Sequence, residues 1–416
     1  MMKTRKLFPL FAMGLALAFT ACSDDDEKND IEVYQNPFEV NADKISAAYT
    51  NVKLKDTDLD PVITTYVNDV VIPTYKMMYD NVSAFQTAVN KLNYADTEKT
   101  LTNNLADACE AWRNARTPWE ESEAFLYGPA ARKNLDPSLD SWPLDQDGID
   151  QVLASGDFGN VENGDVDEDD EKGPQNTRGF HTAEYLLFSE GAARTAANIK
   201  DATHGENMIK YVKTVAKRMM SDTEALYESW KSGISGDDAD GCPTPFGAAM
   251  IAHTGTYTYQ TASAVVADIF NEAGGMPAIA NEVGETKIGE PFNYWNEGKK
   301  EQAVLKVESW FSWNSLEDYE NNIISIENCY MGRRSDDSST AAATNCFHNI
   351  VNKLNPVLDE LIVKQIKTTR KAIKAIPYPL RNNLDKSAAI KNAQNECAAL
   401  VDGLNMARRA ILKAAE

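Results

Sequence analysis

Apolar residues recur at steps of three and four along much of this chain. Leu101, Leu105, Ala108, Trp112, Ala115 and Trp119 make one stripe of an amphipathic helix packed on a core. Phe347, Ile350, Leu354, Val357, Leu361 and Ile366 predict a second helix, bent at Pro356. The last segment is the most regular. Ile390, Ala393, Cys397, Leu400, Leu404, Ala407 and Ile411 hold the alternation over many turns, with Gly403 off the seam. Alternation of period two is scarce, and no repeat of 20–50 residues recurs, which disfavours strands and solenoids. The pattern predicts an all-α protein.

Polar stretches divide this helical series. The acidic, glycine-containing segment 161–179 reads as a loop ahead of a helix carrying His181, and 189–207 reads as a domain boundary. Residues 232–245 and 271–300 read as long loops in the second half. A chain of this length can bury two ordinary cores. Two helical-bundle domains are therefore expected, 45–200 and 201–416.

The first residues set the expected compartment. Lys3, Arg5 and Lys6 precede an apolar run from Leu7 to Ala21, too short to span a bilayer comfortably, so 1–21 reads as a secretory signal peptide. The run ends in "FTAC", which resembles a lipobox and makes Cys22 the expected lipidated first residue. The following "SDDDEKND" belongs to an acidic tether, 22–44, which resembles the export signal of surface lipoproteins in Gram-negative bacteria. The expectation is a cell-envelope protein anchored to the outer membrane through lipid and exposed at the surface.

Charge narrows the partners. With 41 basic against 63 acidic residues the formal net charge is -22, and loss of the leader makes it more negative. Such a surface repels nucleic acid and anionic lipid headgroups, so neither is an expected ligand. The six cysteines form no CxxC pair. Cys109 and Cys397 fall on apolar stripes and read as core thiols, while Cys329 and Cys346 could close a short loop.

One of only four histidines sits in "GFHTAEYLLF", with His181 and Glu184 three residues apart. On a helix that spacing puts both side chains on one face, within roughly 60° of each other. The pair can serve one metal ion, or be a solvated polar edge. A zinc-protease helix needs a second histidine, as H-x-x-E-H, and Tyr185 stands in its place; His204, His253 and His348 have no glutamate at the motif spacing. An EF-hand beginning at Asp165 is rejected, because Asp170 holds the position that needs glycine. Three other polar groups stand out. Arg113, Arg116, Glu120 and Glu123 lie at three-four spacing, either as surface salt pairs or as a face that meets something. Asp140, Trp142, Asp145 and Asp147 gather in a turn-rich stretch, and Glu308, Ser312, Asn314 and Asp318 cluster among aromatics at a helix start.

These segments together are similar to the imelysin family. "RGFHTAEYLL" fits its Gly-x-His-x-x-Glu signature through Gly179, His181 and Glu184. "AWRNARTPWEESEAFLYGP" and "LDSWPLD" resemble its earlier blocks, and "ESWFSWNSLEDYENNIISIENCYMG" a later one. The resemblance runs from about Ile45 to the C-terminus. It implies two helical bundles with a cleft at their junction, and envelope proteins linked to iron or other metal uptake. It also implies a site with His181 and Glu184 at its core, Glu123 and Glu308 as further metal ligands, and Asp145, Trp142, Ser312 and Glu120 lining the cleft. Iron or zinc suits such donors, with affinity expected to fall below about pH 6 as the imidazole protonates. The expected function is binding of a metal ion or an iron-containing ligand, with an uptake-system protein as partner. The alternatives are a metallopeptidase, after the family's label, and a non-catalytic interaction module of a transport complex.

Overall fold

Eight of the helices among the described residues fall into two groups of four. In the first group are α1 (Ile72–Asn90), α2 (Glu98–Glu120), α3 (Gly179–Leu187) and α4 (Gly205–Lys231). The second contains α5 (Met276–Asn281), α6 (Ser315–Met331), α7 (Pro356–Lys374) and α8 (Ser387–Ala415). The computed structural model describes residues 34–166, 172–233, 245–253, 259–271, 273–334 and 341–416. The leader, Cys22, most of the acidic tether and Asp167, Asp169 and Asp170 lie outside them. Among the described residues the only strands are a two-residue antiparallel pair, Phe188–Ser189 with Ala192–Ala193, and no helix is long and apolar enough to cross a membrane.

The predicted stripes are the buried faces. Thr97 caps α2, its hydroxyl accepting the Thr100 amide at 3.2 Å, and all six apolar positions of the stripe are buried. Pro118 lies inside this helix, two residues before its end. The seven stripe positions of α8 are buried as expected, yet Gly403 is buried with them: a Cβ there would lie 2.3 Å from the Phe38 ring. Phe38 belongs to the helix Pro37–Val40, so ordered structure begins before residue 44, the expected end of the tether. The 347–366 stripe is two helices, not one bent helix. Phe347–Leu354 ends at Asn355, whose side chain caps α7 by accepting the Leu358 amide at 3.0 Å; Pro356 occupies the first turn, where its missing N–H costs nothing.

Packing does not divide at residue 200. Helix α4, expected in the second bundle, packs on α1 and α3 and completes the first. α5 and α6 pack with α7 and α8, α6 also lies against α2, and Gln35–Glu416 form a single unit. The four cysteines among the described residues are buried and free. Cys109 and Cys397 are core thiols as expected, whereas Cys329 and Cys346 are not joined: the first lies beside the Tyr66 phenol, and the second donates to the Ala343 carbonyl at 3.0 Å.

Candidate metal centre

Gly179 decides where α3 begins. Its φ is +83°, and a Cβ would fall 2.3 Å from the Leu139 carbonyl oxygen, so only glycine lets the first turn of α3 touch the end of the short helix Leu135–Asp140. That contact brings His181 to Asp140. The imidazole is 1% exposed and lies against the Trp142 ring, centroids 4.6 Å apart. Its Nε2 is 3.2 Å from Asp140 Oδ1 and 3.6 Å from Glu308 Oε1, yet makes no aligned hydrogen bond. Nδ1 is 3.3 Å from Glu184 Oε2. Burial alone would lower the imidazole pKa; the carboxylates, Asp140 foremost, outweigh burial and the opposing Arg116 charge and raise it to about 9.

Two buried cations hold the surrounding acids. Arg116, on α2, is fully buried. Its guanidinium meets Asp140, Glu120 at 2.5 Å, Glu308 at 2.7 Å and Asp318 at 3.5 Å. Lys287 reaches Glu308 at 3.0 Å. Burial opposes ionisation of Glu308, but Lys287, His181 and Arg116 hold its pKa well below the usual carboxylate range. The other acids are less well compensated. Burial pushes Glu120 up to about 8 and Asp318 up to about 6, and it raises Glu123 well above its ordinary value. Carboxyls exceed positive charges here, and burial favours the protonated form of those the cations compensate least.

Glu184 serves its neighbours rather than open space. Oε1 accepts both the Ser312 amide and the Ser312 hydroxyl, each at 2.7 Å. The loop carrying Ser312 has positive φ at Ser309 and Trp313. Arg113 ties it down, donating to the Ser312 carbonyl at 2.7 Å and to Asn314 Oδ1 at 2.5 Å.

The expected residues sort accordingly. Asp140, His181 and Glu308 offer donor atoms within 4.8 Å of one another, and Glu120, Glu123 and Asp140 form a second such group. Glu184, expected as a ligand, orients His181. Trp142 packs on the imidazole, Ser312 holds Glu184, and Glu120 is bound by Arg116 and by Asn322 Nδ2 at 2.5 Å. Asp145, expected to line the cleft, borders a cavity beside Trp142 without touching the imidazole, and its carboxylate caps the helix Gln146–Ser155 by accepting the Gly148 amide at 3.0 Å. The sequence gathers Asp140 with Asp145 in one turn-rich stretch, and of the two it is Asp140 that meets the imidazole. Asp140 ends one helix while Asp145 begins the next, and cap propensity alone would have assigned Asp145. Lys287 was missed altogether, because a single lysine in a segment read as loop carries no local signal.

An all-α protein in which a buried imidazole and carboxylates converge where two helical groups meet is the class defined by this fold and site. The chain belongs to the imelysin (Peptidase_M75) family, whose model matches residues 71–406. It is 28% identical over 345 residues to iron-regulated protein A of Synechococcus elongatus, covering 82% of this chain and 83% of that protein. A crystal structure of a candidate iron-regulated protein A precursor from Parabacteroides distasonis is 42% identical, with a TM-score of 0.81 over 88% of this chain and 98% of that one. An imelysin-like protein from Psychrobacter arcticum shares the fold at 12% identity, with a TM-score of 0.55 over 86% and 95% of the two chains.

Proposed function

We propose that this chain is a cell-envelope lipoprotein, anchored through Cys22 and facing outward, that captures a metal ion, iron foremost, at His181, Asp140 and Glu308 in the service of metal uptake. The observation that carries the reading is the His181 Nε2 atom: buried, without an aligned hydrogen bond, and facing two carboxylate oxygens at 3.2 and 3.6 Å. Ligand distances of about 2.0–2.2 Å let donors this close share one ion. Once the ring gives up its extra proton, the carboxylate on Nδ1 favours the tautomer whose Nε2 lone pair is free, the usual arrangement behind a metal-bound histidine. The names of two relatives of this chain, the Synechococcus protein and the Parabacteroides precursor, connect them with iron. A bound ion would add positive charge where carboxyls are in excess.

A peptidase reading has less to rest on. Both Glu184 oxygens are engaged, and Tyr185, where a second histidine would stand, packs on Phe311 and donates to Asp150 at 2.9 Å. His253 and His348 face Asp60 and Asp359 instead.

Calorimetric titration with ferrous, ferric and zinc ions, on the wild type and His181→Ala, tests the proposal. Loss of at least tenfold in affinity is expected from removal of one ligand. Equal affinity in both proteins would leave only a tethered helical interaction module.

Affinity should also depend on pH, over a higher range than an ordinary histidine gives. The folded pKa is raised to about 9, so the proton is held throughout the neutral range and the metal must displace it. Below pH 9 affinity should rise about tenfold per pH unit for each proton released, rather than levelling off near pH 6. Zinc titrations from pH 6 to pH 8 showing constant affinity would contradict this.

A further inference from the structure

Lys287 lies in a part of the chain whose backbone is unusual. Residues Glu282–Ile288 form a π-helical turn that continues directly from α5. In an α-helix, positions five apart diverge by about 140°. The i→i+5 hydrogen bonding of a π turn brings them onto one face, and here that face presents Glu282 and Lys287 together, 3.8 Å apart. Gly284 lets the turn pack closely on α8, since a Cβ there would meet the Cys397 Cβ at 2.8 Å.

The ammonium group has a crowded anionic setting. Nζ lies 3.0 and 3.2 Å from the two Glu308 oxygens and 4.0 Å from both Glu120 and Glu123. It lines a cavity of about 220 Å³ that also presents Glu123, Asp140, Trp142, Glu282 and Glu308. His181 does not line that cavity; Asp140 and Glu308, which contact it, do. An ion arriving through the cavity therefore meets the lysine and its glutamates before the imidazole.

We propose that Lys287 is a built-in counter-ion that occupies the glutamate cage and is displaced when a polyvalent metal ion binds beside Glu308. The inference rests on the metal-capture reading and adds to it the device by which the centre discriminates between cations. Coulomb attraction scales with charge. A monovalent ion offers these carboxylates no more than the ammonium already does, and gives up its hydration to do so. A divalent or trivalent ion offers two or three times as much. The lysine thus sets a threshold that excludes sodium and potassium while leaving the cage neutralised between binding events.

Zinc and ferrous titrations of the wild type and Lys287→Met test this. The variant should bind both ions at least tenfold more tightly, and potassium chloride should compete with zinc more strongly than in the wild type. If the wild type binds and Lys287→Met binds equally or more weakly, the counter-ion role fails while metal capture stands. If neither protein binds, both fail. Because removing a buried charge can impair folding, a second measurement uses the wild type alone: labelling with a small amine-reactive reagent, mapped by mass spectrometry, with and without saturating zinc. Displacement should raise labelling of Lys287 severalfold, and unchanged labelling with zinc bound overturns the proposal.

Discussion

Replacing Arg116 with methionine is expected to destabilise the protein by about 3–5 kcal/mol, the usual cost of stripping one partner from a buried ion pair. Methionine fills much of the volume, so the effect reports charge rather than a cavity. Four carboxyls, on Glu120, Asp140, Glu308 and Asp318, face the guanidinium, and without it they are left to one another and Lys287. The deficit should depend on pH in a definite direction. Burial already holds Glu120 up at about 8 and Asp318 at about 6 with the arginine present. These groups bind protons in the fold that the unfolded chain releases, so their ionisation costs stability as pH rises from the ordinary carboxylate range through those values. Removing Arg116 raises them further. Urea unfolding should show the largest difference from wild type near pH 8 and a smaller one near pH 5. A variant as stable as wild type at pH 8 would mean that the guanidinium is not the charge that holds the centre together.

Gly179→Ala should be nearly as damaging, for a reason in the backbone. A left-handed φ costs an L-residue about 1–2 kcal/mol, and the added methyl would meet the Leu139 carbonyl oxygen at 2.3 Å, a backbone atom with little freedom to move. Together these should cost about 2–4 kcal/mol. The loss should appear in binding as well, because the same contact sets His181 against Asp140. Zinc affinity of the folded variant should fall at least tenfold. Unfolding and zinc titrations indistinguishable from wild type would show that the close approach is not needed.

Much of the fold was legible in the chain because local periodicity reports it directly. The stripes of α2 and α8 were buried as read, since a three-four alternation of large apolar residues can be satisfied only by packing that face. Boundaries were less legible. The 347–366 stripe stays in phase across Asn355, so periodicity passes over the break that the Asn355 cap makes. Gly403 and Phe38 illustrate the same limit, their contact spanning nearly the whole described chain.

The centre divides along the same line. By itself the sequence determined that His181 and Glu184 share a helical face, that Gly179 precedes them, and that Arg116 and Glu120 lie one turn apart, because helix geometry fixes such neighbours within a few residues. Tertiary structure alone decided that Asp140 rather than Asp145 meets the imidazole, that Arg116 is buried among four acids instead of forming a surface pair, and that Lys287 enters the cage. Those contacts join groups far apart in the chain, 192 residues in the case of Arg116 and Glu308. Which distant charges meet depends on how the two helical groups pack, and no local spacing encodes that.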